Sequence, residues 1–253
     1  MALDLVIGID SSTTATKAMA WTRKGKAIAE GRATVPLSNP KPGWFEQDVA
    51  QWTGALATAL KQLSRKIDMG RVAALAISNQ RESFAQFDSR NKALRPGTLW
   101  LDERARPQMR ALEKKLGGDT IHEISGKPVD VCPCFPRCAW LAEEMPGLWK
   151  KTAKTAEVHG VLVHFLTGQW RTSTASADPM GLLDMKAYDW SDTLLAAVDL
   201  TRAQLPELGR PGSMLGEVSA AAAKATGLKA GTPVIAGTIV APELYFAVGV
   251  SGA

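Results

Sequence analysis

A chain of 253 residues, 45% hydrophobic and 22% charged, has the composition of an ordinary globular protein of one large or two small domains. It has no apolar run long enough to span a bilayer and no charged, apolar and small-residue series of a secretory leader, so a cytoplasmic location without membrane partners is expected. The net charge of +5 comes from basic residues scattered among acids, without the Lys/Arg stripe and interleaved aromatics of a nucleic-acid binder.

The first strand, Leu5–Asp10, ends in an acid and passes through Ser11, Ser12, Thr13 and Thr14 into a second strand, Lys17–Thr22. Small turn residues let successive backbone N–H groups converge on an anion, and their hydroxyls add donors. Asp10 at the strand end suits a hydrated Mg²⁺, and Lys17 adds positive charge. The same residues equally suit a plain polar hairpin turn. A third strand, Ala27–Thr34, follows Lys24-Gly25-Lys26, and three successive hairpin strands should pair antiparallel.

After a Pro/Gly loop comes Trp44-Phe45-Glu46-Gln47-Asp48. Asp48 reads as the N-cap of a helix whose residues Val49, Trp52, Leu56, Leu60 and Leu63 repeat at helical spacing. Strands Val72–Ser78 and Ser83–Phe87 follow, and the return needs a crossover, an order that predicts an α/β layer fold. Beyond Trp100 the pattern predicts a helical insertion in one continuous domain, with helices over Asp102–Leu116, Phe135–Glu144, Leu148–Thr155, Val158–Leu166, Leu194–Leu200 and Ser219–Thr226. Pro233–Ala236 returns to a strand.

Strand Val72–Ser78 runs into Asn79-Gln80-Arg81-Glu82, where apolar residues stop at amide, guanidinium and carboxylate groups. Strand ends in α/β sheets are common ligand sites. Arg81 donates and Glu82 accepts, so together they can read vicinal hydroxyls, or they can simply pair at the surface. Trp100 can wall a sugar ring, and Asp102 can orient a hydroxyl, cap the following helix, or do both. Thr172–Asp178 reads as a small-residue loop at a cleft. Cys132, Cys134 and Cys138 form a C-x-C-x₃-C cluster without a fourth ligand at zinc-finger spacing, and half-buried thiols are the expectation. His122, His159 and His164 read as structural or surface residues.

These segments, in order, resemble the FGGY carbohydrate kinases. Gly8-Ile-Asp10-Ser-Ser-Thr-Thr14 looks like the first phosphate loop, Gly43-Trp-Phe-Glu-Gln-Asp48 like the Gly-Trp-x-Glu-Gln-Asp element, and Ser78-Asn-Gln-Arg-Glu82 like a substrate loop of glycerol-kinase form. Trp100-x-Asp102-x-Arg104, Leu166-Thr-Gly168, Asp189-Trp-Ser191, Leu205-Pro-Glu207 and Thr226–Gly237 also fit. The resemblance implies a ribonuclease H-like fold of the actin-like ATPase superfamily, with a mixed sheet, residues 1–239 forming the N-terminal domain, and MgATP as phosphoryl donor to a small sugar or polyol. It assigns Asp10 to Mg²⁺ through water, Ser12, Thr13, Thr14 and Lys17 to the phosphate and Mg-ATP, and Gln80, Arg81, Glu82, Trp100 and Asp102 to the substrate.

Two departures accompany the resemblance. Val240 stands where the family places the aspartate base, and valine cannot accept a proton. The C-terminal nucleotide-binding lobe is absent from the sequence, so the chain alone should be inactive or nearly so. Residues 240–253 instead look similar to a segment of the electron-transfer flavoprotein alpha subunit, as in a chimera. The alternative readings are a non-catalytic sugar-binding module and, on the tail alone, a flavin-linked protein. A pentulose such as xylulose is the first expected substrate, with glycerol second. A missing lobe would expose an apolar face near Pro233–Val250, which predicts self-association, a homodimer included.

Overall fold

A computed structural model describes residues 3–237. β1 (Leu5–Ser11), β2 (Ala15–Thr22) and β3 (Ala27–Thr34) form an antiparallel meander. β4 (Ser38–Lys41), β5 (Trp44–Gln47), α1 (Val49–Ser64), β6 (Val72–Asn79), β7 (Phe84–Phe87) and β8 (Gly97–Thr98) follow. The insertion holds α2 (Arg106–Leu116), α3 (Gly118–Ser125), α4 (Cys134–Glu144) and α5 (Pro146–Trp149). The chain then runs through β9 (Lys154–Glu157), α6 (Val158–Thr167), β10 (Arg171–Ser173), α7 (Thr174–Ala177), β11 (Leu183–Asp184), β12 (Asp189–Trp190) and α8 (Asp192–Ala197). It closes with β13 (Glu207–Gly209), β14 (Met214–Glu217), α9 (Ala220–Thr226) and β15 (Pro233–Ile235).

A mixed sheet and an antiparallel sheet organise these elements. The larger has the order β14-β15-β6-β1-β2-β3, in which β6 is parallel to both β1 and β15. The α1 crossover makes that parallel pairing possible. The second has the order β4-β5-β8-β7-β9. In β1 the alternation sends Leu5, Ile7 and Ile9 to the core, where Trp52, Leu56, Leu60 and Leu63 of α1 meet them. Asp48 caps α1 by accepting from the Ala50 amide at 2.9 Å. A second core lies under the insertion, around Phe84, Leu141, Trp149, Trp190 and Leu194. Strand β7 serves both cores, since Phe84 faces the second and its neighbour Ala85 the first.

Three expected helices are corrected. The helix expected over Asp102–Leu116 begins at Arg106 and ends at Leu116 as expected, and Gly117, with a φ of 85°, separates it from α3. Asp102 is no helix cap, because Ala105 holds that position without a side-chain bond. The helix expected over Leu148–Thr155 is a single turn, and Lys154 onward pairs antiparallel with β7, Phe87 opposite Lys154 and Phe84 opposite Glu157. Tertiary pairing outweighs local propensity there. The helix expected to reach Leu200 stops at Ala197, just before Asp199, whose φ is 55°. The small-residue loop at Thr172–Asp178 is strand β10 continuing into the short α7, which Ser173 caps.

Candidate active site

The register of three strands gathers the first groups. Asp10 lies opposite Lys17 on β2 and Ser78 on β6, so acid and base share one end of the sheet. Burial raises the Asp10 pKa, and Lys17 partly offsets it. Asp10 Oδ1 is buried and has no hydrogen-bond partner in the structure. A buried carboxylate oxygen left without a donor is costly. A single carboxylate at a strand end fits a largely hydrated Mg²⁺, which is commonly held by one or two carboxylates plus substrate phosphates.

The turn after Asp10 is held from several sides. Ser12 spends both its amide and its hydroxyl on the Ala15 carbonyl, each at 2.9 Å, so it builds the turn. The Thr14 carbonyl accepts from the Val35 amide at 2.8 Å, while its side chain is exposed. The Thr13 carbonyl accepts from Gln47 Nε2 at 2.7 Å, and its hydroxyl accepts from the Trp100 indole at 3.1 Å.

The loop after β6 adjoins this turn, because the Gln80 amide donates to the Ser11 carbonyl at 2.8 Å. The Gln80 side chain points inward: it accepts from the Ser83 hydroxyl at 3.0 Å and donates to Gln47 Oε1 at 3.3 Å. Arg81 is partly exposed and pairs with Glu82 at 3.3 Å. Glu82 has a φ of 50°, in the left-handed region that a non-glycine residue occupies at a cost. Burial raises the Glu82 pKa, against the pull of Arg81 and Arg137. Trp100 remains 40% exposed, with its backbone amide on the Ser83 hydroxyl at 3.2 Å. Arg81, Glu82 and Trp100 are thus the predicted substrate residues with surface to offer.

Asp102 differs. It is 0% exposed and accepts from the Phe45 amide at 2.7 Å, the Arg104 amide at 3.1 Å, and Arg104 Nε and Nη2 at 2.8 and 2.7 Å. Its oxygens are spent on the protein, so its position suits shaping the loop rather than meeting a hydroxyl.

The structure also gives work to an element the sequence singled out without assigning roles. Glu46 bridges Arg95 and Arg104, and the Arg104 guanidinium lies 3.7 Å from the Trp44 ring centroid. Gln47 contacts Thr13, Pro36, Trp52 and Gln80, joining the turn to the loop after β6. Arg137 passed unnoticed in the sequence. It is 1% exposed on α4, on the same face as Cys134, Cys138 and Leu141, and an arginine on an apolar face was the available signal. Cys134 and Cys138 are buried and Cys132 is partly so, and burial raises the pKa of all three thiols. His159 is buried and hydrogen-bonded to Thr172. Val240 and the flavoprotein-like tail lie outside the described residues.

Known proteins are similar to this chain in sequence and fold. The FGGY family of carbohydrate kinases, N-terminal domain, matches residues 5–239. The xylulose kinase of Escherichia coli (strain K12) is 30% identical over 92% of this chain and 48% of its own length. The glycerol kinase of Thermococcus gammatolerans is 29% identical over 83% of this chain and 44% of its own. The crystal structure of xylulose kinase from Rhodospirillum rubrum superposes with a TM-score of 0.89 at 25% identity, covering 93% of this chain and 49% of that one. The chain therefore spans about half the length of the relatives it matches. Its mixed sheet flanked by helices is the ribonuclease H-like fold of the actin-like ATPase superfamily. The chain belongs to the FGGY family of carbohydrate kinases, as its N-terminal domain.

Proposed function

We propose that this chain is the substrate-binding half of an ATP-dependent kinase acting on a ketose or polyol, with a xylulose-like sugar first and glycerol second. The observation that carries the reading is the 3.1 Å contact between the Trp100 indole and the Thr13 hydroxyl, which sets the sugar wall directly on the phosphate turn. Arg81 and Glu82 stand at the adjoining strand end, where a donor fork and an acceptor suit vicinal hydroxyls. Thr13, Thr14 and Lys17 would face the transferring phosphate. Asp10 would hold Mg²⁺ through water, an ion that neutralises phosphate charge in such reactions. The relatives' printed activities, on xylulose and glycerol, support the substrate class.

Binding without turnover is the activity expected of this chain by itself. Position 240 is a valine, and a missing general base alone removes about 10²–10⁴-fold in rate. The test pairs calorimetry with ADP release from MgATP, using a sample verified by intact mass and D-xylulose, D-ribulose, glycerol and erythritol as ligands. Saturable binding of D-xylulose, tighter than glycerol, with no sugar-dependent ADP, is the expected result. Sugar-dependent turnover would show that a base is supplied elsewhere. Failure to bind any of the four would remove the substrate assignment.

A further inference from the structure

Arg137 is the most fully engaged buried cation of the insertion. Its guanidinium donates to the Leu99 and Cys132 carbonyls, and to the Glu82 carbonyl at 2.5 Å, while Nε reaches the Pro133 carbonyl at 3.4 Å. One rigid fork therefore ties together three loops: the end of the β6–β7 connection, the residue before Trp100, and the segment leading into α4. The Glu82 carbonyl belongs to the residue held at a φ of 50°, and Leu99 immediately precedes the exposed Trp100. A strained backbone persists only where its surroundings over-determine it, and this fork supplies that restraint. Lysine keeps the charge but cannot reproduce a planar fork spanning several acceptors.

We propose that Arg137 is the positioning residue of the cleft, holding Glu82 in its left-handed conformation and fixing Trp100 over the Thr13 hydroxyl. The inference rests on reading Arg81, Glu82 and Trp100 as a sugar site, and its test also has a readout that needs no sugar. The Arg137→Lys variant of the 253-residue chain is compared with the unaltered chain in D-xylulose and glycerol affinity, melting temperature, and the ¹H–¹⁵N resonance of the Trp100 indole, assigned with Trp100→Phe.

Expected are a tenfold or greater loss of sugar affinity, a shifted or broadened Trp100 indole signal, and a cooperative melt. Unchanged affinity, or an indole signal that does not move, overturns the proposal. If the unaltered chain binds neither sugar, the sugar-site reading fails, and the indole signal still decides the role of Arg137. If Arg137→Lys does not fold, arginine side-chain NMR of the unaltered chain decides instead. Slow rotation about the Nε–Cζ bond, with separate Nη resonances, supports the fork, and free rotation overturns it.

Discussion

Glu157 and His159 share one buried hydrogen-bond chain, with Thr172 donating to Glu157 and bonded to His159 Nδ1 at 3.0 Å. Both are wholly buried, and they titrate in opposite senses. Burial lifts Glu157 from its ordinary 4.5 to about 7, so its contribution to stability is full below pH 4.5 and is lost as pH rises through 7. Burial drops His159 from 6.5 to about 3, so its contribution is full above pH 6.5 and is lost as pH falls through 3. Between pH 4.5 and 6.5 the two slopes oppose each other, and their sum is flat. Glu157→Gln should leave the histidine slope alone, so stability of the variant from urea titration should rise across that window relative to the unaltered chain. An identical pH dependence in the two proteins would rule out this pairing. At this scale the sequence was a partial guide. Arg81, Glu82 and Trp100 could be read as a donor, an acceptor and an apolar surface, and the structure leaves all three at least partly open to solvent. The burial of Asp102 was not readable, because its partner Phe45 meets it only through the fold.

Elements were more legible than side chains. The repeat of Val49, Trp52, Leu56, Leu60 and Leu63 predicted α1, and the structure buries all five. Strand ends came close to prediction because alternation is strict in β1 and holds in β6 from Ala74 onward, while α5 was over-extended because pairing with β7 cannot be seen locally. Nor could the sequence reveal how closely α1 approaches β3. A Cβ on Gly31 would lie 1.9 Å from the Ala59 carbonyl oxygen, so the helix backbone rests directly on the strand. Backbone offers no rotamer by which to yield. Gly31→Ala should therefore push α1 off the sheet and cost roughly 1–3 kcal/mol, the usual range for overpacking a well-filled core. Chemical denaturation measures this directly, and a variant as stable as the original would mean that α1 shifts without penalty.

On the scale of the whole molecule, the candidate site lies along a seam between two sheets. The larger sheet carries Asp10 and the turn, and the smaller carries Glu46 and Gln47. Two contacts cross onto one residue: Gln47 Nε2 reaches the Thr13 carbonyl at 2.7 Å, and the Trp100 indole reaches the Thr13 hydroxyl at 3.1 Å. Gln47 also takes the buried Trp52 indole proton at 2.8 Å, so Gln47→Ala leaves that donor unsatisfied and should cost about 1–3 kcal/mol. Trp100→Phe removes one contact from a half-open side chain and should cost less. If both hold the same turn, removing one lets Thr13 move and weakens what the other can contribute. The double variant should then lose less than the two single losses added together, by about 0.5 kcal/mol or more. Additivity within about 0.3 kcal/mol would mean that the sheets hold Thr13 independently. Coupling would mean that Trp100 and the turn at Thr13 form one mechanical unit, so that a ligand held against Trp100 would be felt at the turn.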